Sequence, residues 1–187
     1  MGKLVYGMNV SLDGYVASPG GDLEWAAVDE EVHTYWNNQG QGEGVSVYGR
    51  RLWEVMRYWQ TALDDPDLPE VMVEFARTWL ATPKIVFSST LESVEGNARL
   101  VRGDAVAEVA RLKAEMPGEI GVGGPTLAAS LIRAGLVDEY RVVVHPVLLG
   151  GGLPLFPSLD RPLDLELVET RRFGGGAMLL VYRPKTA

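Results

Sequence analysis

Three short apolar runs in this 187-residue chain stop at small residues. Val45-Ser46-Val47-Tyr48 stops at Gly49, Lys84-Ile85-Val86-Phe87 at Ser88-Ser89-Thr90, and Glu119-Ile120-Gly121-Val122 at Gly123-Gly124. The first and third pass directly into helical spacing: Leu52, Val55, Met56 and Trp59 in one case, and Pro125 through to Gly135 in the other. Pro125 suits a first helical position and Gly135 the position just past a helix end. Buried strands alternating with helices predict a largely parallel sheet covered on both faces. That architecture puts the small residues at strand carboxyl ends, where open α/β sheets bind ligands.

The rest of the chain extends the pattern. Lys3 to Val10 is too apolar for a strand with one wet face and reads as central. Trp25, Val28, Val32, Tyr35 and Trp36 predict a helix through about Asn37, and Leu68, Val71, Met72, Phe75 and Trp79 another that stops before Pro83. Asp104 is a candidate N-cap for a helix that Met116-Pro117-Gly118 ends. Arg141 to His145 reads as a buried strand, and the stretches around 163–168 and 178–183 form a closing hairpin across Gly174-Gly175-Gly176. The fold class is α/β, a mixed, mostly parallel sheet with helices on both faces and a C-terminal antiparallel hairpin. With no linker, repeat or charge block, residues 1–187 read as a single domain.

Composition removes several chemistries. The chain has no cysteine and two histidines, which excludes a disulfide framework, thiolate zinc and a cysteine nucleophile, and makes metal catalysis improbable. A formal net charge of -8 repels polyphosphate, so nucleic acid is not an expected partner. There is no 18-residue apolar stretch, and Met1-Gly2-Lys3 leads into a strand without a signal-peptide cleavage site. The expectation is a cytoplasmic protein with no membrane partner. A small anionic ligand stays open, since local arginines and helix N-termini bind phosphate even in an acidic protein.

The candidate sites follow from the strand ends. At Tyr48-Gly49-Arg50-Arg51 a glycine allows close backbone approach and two arginines offer forks for phosphate, or equally begin a solvated helix. At Gly123-Gly124-Pro125-Thr126 a tight turn accounts for one glycine, and two favour a phosphate contact. Ser88-Ser89-Thr90 could offer hydroxyls to ribose or phosphate, although serines at strand ends are commonly turn formers. Neither G-x-G-x-x-G, G-x-x-x-x-G-K-[ST] nor G-x-S-x-G occurs. His33 and His145 read as structural or solvated, and a hydrolase using Ser130 or another serine is a third reading. Nucleotide-friendly strand ends without an acid, base and nucleophile set suit hydride transfer, in which a cofactor carries the chemistry.

Taken together, these pieces resemble the dihydrofolate reductase superfamily, and within it the RibD C-terminal-domain family of riboflavin biosynthesis reductases. The resemblance is carried by Ser11-Leu12-Asp13-Gly14-Tyr15-Val16-Ala17, Tyr48 to Glu54, Lys84 to Leu91, and Gly123 to Leu127. Leu136 to Tyr140 and His145 to Phe156 complete it, so it covers nearly the whole chain. It implies a three-layer fold on an eight-stranded mixed sheet, with NADPH as cofactor, NADH not excluded. Gly49, Arg50 and Arg51 would hold cofactor phosphates, and Ser88 and Ser89 would lie near the adenosine ribose or its 2′-phosphate. Gly123, Gly124 and Thr126 would wrap the pyrophosphate, with a cis peptide at the double glycine. Asp13 and Gly14 belong to the loop over the nicotinamide, and Glu30, five residues after Trp25, matches a substrate-binding carboxylate of the folate enzymes. Glu30 also reads as one acid among Asp29, Glu30 and Glu31 on a solvated helix face. Leu52 stands where folate enzymes usually have a threonine, and Ser89 where many have an arginine for the 2′-phosphate. The zinc deaminase half of the bifunctional riboflavin enzyme has no counterpart here. The expected function is an NADPH-dependent reductase of a small heterocyclic, carbonyl or imine substrate, acting as a homodimer. The alternative is a noncatalytic nucleotide-binding dimeric scaffold of the same fold.

Overall fold

The computed structural model describes residues 1–26 and 28–185. Its strands are β1 (Lys3–Ser11), β2 (Tyr15–Ala17), β3 (Glu43–Gly49), β4 (Lys84–Phe87), β5 (Ala98–Val101), β6 (Glu119–Gly123), β7 (Glu139–His145), β8 (Leu153–Pro154), β9 (Leu165–Arg172) and β10 (Met178–Pro184). The helices are α1 (Glu30–Gly42), α2 (Arg50–Met56), α3 (Glu70–Ala81), α4 (Ala105–Glu115) and α5 (Pro125–Arg133). One eight-stranded sheet runs β5-β4-β3-β6-β1-β7-β10-β9. The first six of these neighbours are parallel, and β10 and β9 add the antiparallel edge. β1 lies between β6 and β7, as its continuous apolar run predicts.

Helices α4 and α5 cover one face. Val109, Leu112, Leu127, Ala128 and Leu131 pack there on Leu4, Tyr6, Val47, Ile120, Val122 and Val142. On the other face, Val32 and Tyr35 of α1 meet Val143, Phe173, Leu179 and Val181. Beside them Trp53 stacks on Trp79 at 6.0 Å over Tyr48 and Val86. The limits of α5 follow the expected signals: Pro125 opens it, and Gly135, at φ +67°, follows its end.

Three differences from the sequence expectation have physical causes. Helix α1 begins at Glu30 rather than near Trp25, because the Asp29 carboxylate accepts the Val32 N–H at 2.9 Å and caps the helix there. Trp25 and Val28 belong to the preceding loop. β5 was not expected: Ala98-Arg99-Leu100-Val101 has no alternation, and parallel pairing with β4 is what makes it a strand. β2 and β8 form a two-stranded ribbon, with Gly152 so close to β2 that a Cβ would stand 1.9 Å from the Ala17 carbonyl oxygen.

Candidate active site

The carboxyl edge of the sheet opens into a cavity of about 1130 Å³, above the ~300–1,000 Å³ usual for small-molecule pockets. All three strand ends contribute to it. Gly49, Arg50 and Arg51 come from the β3–α2 junction, Ser88, Ser89 and Thr90 from the end of β4, and Gly124, Pro125 and Thr126 from the β6–α5 junction. Met8, Leu52, Val55 and Phe87 form its apolar floor and side, and the 16–23 segment with Gly152 and Leu153 closes another side.

The backbone explains why this edge is receptive. Gly124 precedes α5 at φ +86° and ψ 123°, and supplies no capping side chain, so first-turn N–H groups of α5 have no internal partner beside the cavity. The Gly124 N–H itself rests on Met8 Sδ at 3.5 Å. Gly123 lies just behind the wall, where a Cβ would stand 2.4 Å from Leu52 Cδ2, so close packing with α2 accounts for this glycine. The cis peptide implied for the double glycine is absent: no described bond is cis, and the positive φ of Gly124 turns the chain. Leu52 packs against both glycines with a methyl where a threonine would offer a hydroxyl.

Among the described wall residues, Arg50 and Arg51 are the ionisable ones, and both are cationic. Arg50 is partly committed, its Nη1 donating to Glu54 Oε1 at 2.9 Å. Ser88 Oγ accepts N–H bonds from Thr90 and Leu91 at 3.1 and 3.0 Å, so this serine shapes the turn while lining the cavity. Ser89 is exposed, and its carbonyl accepts from Arg102 Nη1 at 3.3 Å. Ser130, also on the wall, donates its hydroxyl to the Leu127 carbonyl at 2.8 Å within α5.

Asp13, Gly14 and Glu30 are not on this wall. Asp13 accepts from Ser11 Oγ at 2.6 Å, from the Leu149 N–H at 3.1 Å and from the Gly150 N–H at 2.7 Å. The Ser11 bond is the largest cause holding its carboxyl below the ordinary range; desolvation opposes it, and the backbone N–H donors reinforce it. It therefore clamps the β1–β2 turn to the loop after β7 as a carboxylate. Gly14, at φ +92°, donates to the Ser11 carbonyl at 2.9 Å and accepts the Leu155 N–H at 2.9 Å. Glu30 is exposed in the first turn of α1, while its neighbours Asp29 and Glu31 accept N–H bonds from Gly175 and Gly174. Trp25 packs edge-on against His145 at 5.8 Å, with its indole N–H buried and unpartnered.

Both histidines sit in structural surroundings. His145 is buried, with Nε2 3.1 Å from Asn9 Oδ1, and burial lowers its pKa against the opposing Asp29 carboxylate. His33 lies within 3.2 Å of Asn37 Oδ1 and edge-on to Phe75 and Trp59.

The RibD C-terminal domain model matches residues 2–179. The chain belongs to the RibD C-terminal domain family. Protein YyaP of Bacillus subtilis, itself uncharacterized, is 30% identical over 182 residues, spanning 96% of this chain and 94% of that one. The solved structure of a Shewanella sp. PV-4 protein named for riboflavin biosynthesis aligns with a TM-score of 0.76 at 25% identity, covering 98% of this chain and 99% of that one. Dihydrofolate reductase from Enterococcus faecalis, solved with NADP(H), aligns at 0.67 and 17% identity over 98% and 97% of the two chains, a likeness of fold. Members and structural neighbours of this RibD C-terminal domain include reductases, and the eight-stranded sheet with its closing hairpin is the dihydrofolate reductase-like arrangement.

Proposed function

We propose that the protein is an NADPH-dependent reductase of a small heterocyclic, carbonyl or imine substrate, similar in reaction to 5-amino-6-(5-phosphoribosylamino)uracil reductase. We further place it in the cytoplasm as a homodimer that acts on small molecules rather than on nucleic acid or membranes. The observation that carries the proposal is the wall of the carboxyl-edge cavity: two arginines, hydroxyls and an uncapped helix start face it, and no described carboxylate does. In a chain of net charge -8, that donor set fits an anionic dinucleotide. The cavity volume also leaves room for a second small molecule.

When bound, the reduced nicotinamide supplies the hydride. Arg50, Arg51 and the first turn of α5 would hold its phosphates. Met8, Leu52 and Val55 would exclude water beside the substrate, and the 16–23 segment would cover the site. With no acid on the described wall, the proton that balances hydride addition comes from water or from the substrate's own exchangeable group. Support for the homodimer comes from exposed apolar side chains near the β-rich end, Leu148, Phe156, Leu163 and Leu167 among them.

The same lack of a wall acid favours a second reading, in which the domain binds the nucleotide without turnover. Incubating the protein with NADPH and a panel of pyrimidines, pterins and quinones separates the two. Loss of reduced-nicotinamide absorbance with one substrate class supports the reductase. Saturable cofactor binding with no oxidation across the panel supports the scaffold.

A further inference from the structure

The cavity wall divides by chemistry. The ends of β3, β4 and β6 carry its donors, whereas the side built by β1, β2, β8 and the chain after β2 presents Met8, Val16, Leu23 and Leu153, with Leu52 and Val55 of α2 also on the wall. Ser18, the hydroxyl-bearing residue on this side, already accepts the Asp22 N–H at 3.1 Å. A surface of this kind gains from burying apolar rings and carbon skeletons, and it offers a buried charge no partner.

The charge around it has one sign. From Leu4 to Gly49, the stretch that forms β1, β2, the covering segment, α1 and β3, the sequence holds Asp13, Asp22, Glu24, Asp29, Glu30 and Glu31 among its acids and neither lysine nor arginine. Asp22 and Glu24 flank Leu23 itself, and both are exposed. The two cations on the described wall, Arg50 and Arg51, belong to the β3–α2 junction, where the phosphates of a bound dinucleotide would claim them. Arg57, just past α2, lies 3.7 Å from Glu95. A second anion in the cavity therefore meets apolar side chains and a negative field rather than a counter-charge.

We propose that the substrate taken beside the nicotinamide is uncharged, a heterocycle or carbonyl compound without phosphate or carboxylate, and that the apolar side formed by Met8, Val16, Leu23 and Leu153 selects it. This rests on reading the cavity as a nicotinamide-dinucleotide site. The reaction type stays that of the aminouracil reductase, and a phosphoribosyl group on the substrate finds no cation left to hold it.

The test is equilibrium binding to protein saturated with NADP⁺, using matched neutral and anionic probes: uridine against uridine 5′-monophosphate, and benzaldehyde against 4-carboxybenzaldehyde. Each neutral probe is expected to bind at least about tenfold more tightly than its anionic partner. Leu23→Arg then puts a cation on the apolar side, with Val55→Arg, at another exposed wall residue, as the second variant should a thermal melt show the first to be unfolded. The ratio is expected to move toward the anionic probes by about fivefold or more in the folded variant. Anionic probes that bind as tightly as the neutral ones, neutral probes that do not bind, or a ratio that the added cation leaves unchanged overturns the inference and leaves the dinucleotide site standing. Native protein that binds neither NADPH nor NADP⁺ overturns the site and the inference together.

Discussion

Where β1, β6 and β7 begin, each strand opens on a charged residue, Lys3, Glu119 and Glu139, and these side chains spend their charge on one another and on Arg141 and Arg183. Glu139, 3% exposed, meets Lys3 at 2.7 Å, Arg141 at 2.7 Å and Arg183 at 2.8 Å, and Arg141 also forks onto both carboxylate oxygens of Glu119. Where strands β3, β4 and β6 end, the residues are Gly49, Ser88 and Gly123-Gly124, and the cations nearby are only partly paired. The same sheet thus has one edge whose charges are internally satisfied and another that keeps donors in reserve. Polar residues that find partners within the chain report on stability, while those left without counter-charges report on a ligand.

The largest effect expected from this contrast is at the satisfied edge. Glu139→Gln keeps the shape but leaves Lys3, Arg141 and Arg183 without their shared carboxylate, and breaking a buried ion pair in this way costs about 3–5 kcal/mol. Urea unfolding checks this through the midpoint at constant m. A loss below about 1 kcal/mol would show that the cluster contributes little, and the contrast between the edges would fail.

Glu43 gives a smaller effect with a defined pH dependence. Burial pushes its carboxyl up to about 7, reinforced by Glu119 and opposed by the Ser46 hydroxyl and Arg141. Its carboxyl occupies the space where a Cβ on Gly121 would stand, which explains that glycine. An acid with a folded pKa above its unfolded value binds its proton more tightly when folded, so its contribution falls as pH rises from the ordinary value of 4.5 to about 7. Glu43→Gln is therefore expected to gain up to about 3 kcal/mol relative to the native protein at pH 8, with the gap closing below pH 4. A pH-independent difference between the two would contradict this account.

The contrast also shows which parts of the molecule were legible beforehand. The strand ends were, because apolar runs that stop at glycine or serine before a helix pattern carry their own topology, and Gly49, Ser88 and Gly124 converge on one cavity. The satisfied edge was not, because Glu119 and Glu139 look like ordinary strand-end acids until pairing of β6 and β7 with β1 brings Arg141 to Glu119 and pairing of β10 with β7 brings Arg183 to Glu139. Asp13 belongs to the Ser11-Leu12-Asp13-Gly14 motif and Glu30 to a spacing after Trp25, and neither signal specifies contacts. Backbone N–H groups claim the first, and the capping geometry at Asp29 puts the second on the surface.

The smallest effect on stability is expected at the open edge, and it accompanies the most direct test of the central claim. Arg51 is exposed on the cavity wall, so Arg51→Ala should alter unfolding by no more than about 0.5 kcal/mol. Calorimetric titration of NADPH into the native protein and this variant asks whether the open edge is a dinucleotide site. The account predicts one saturable site per chain in the native protein, and affinity roughly tenfold or more weaker in the equally stable variant. No binding to the native protein at millimolar NADPH would contradict it.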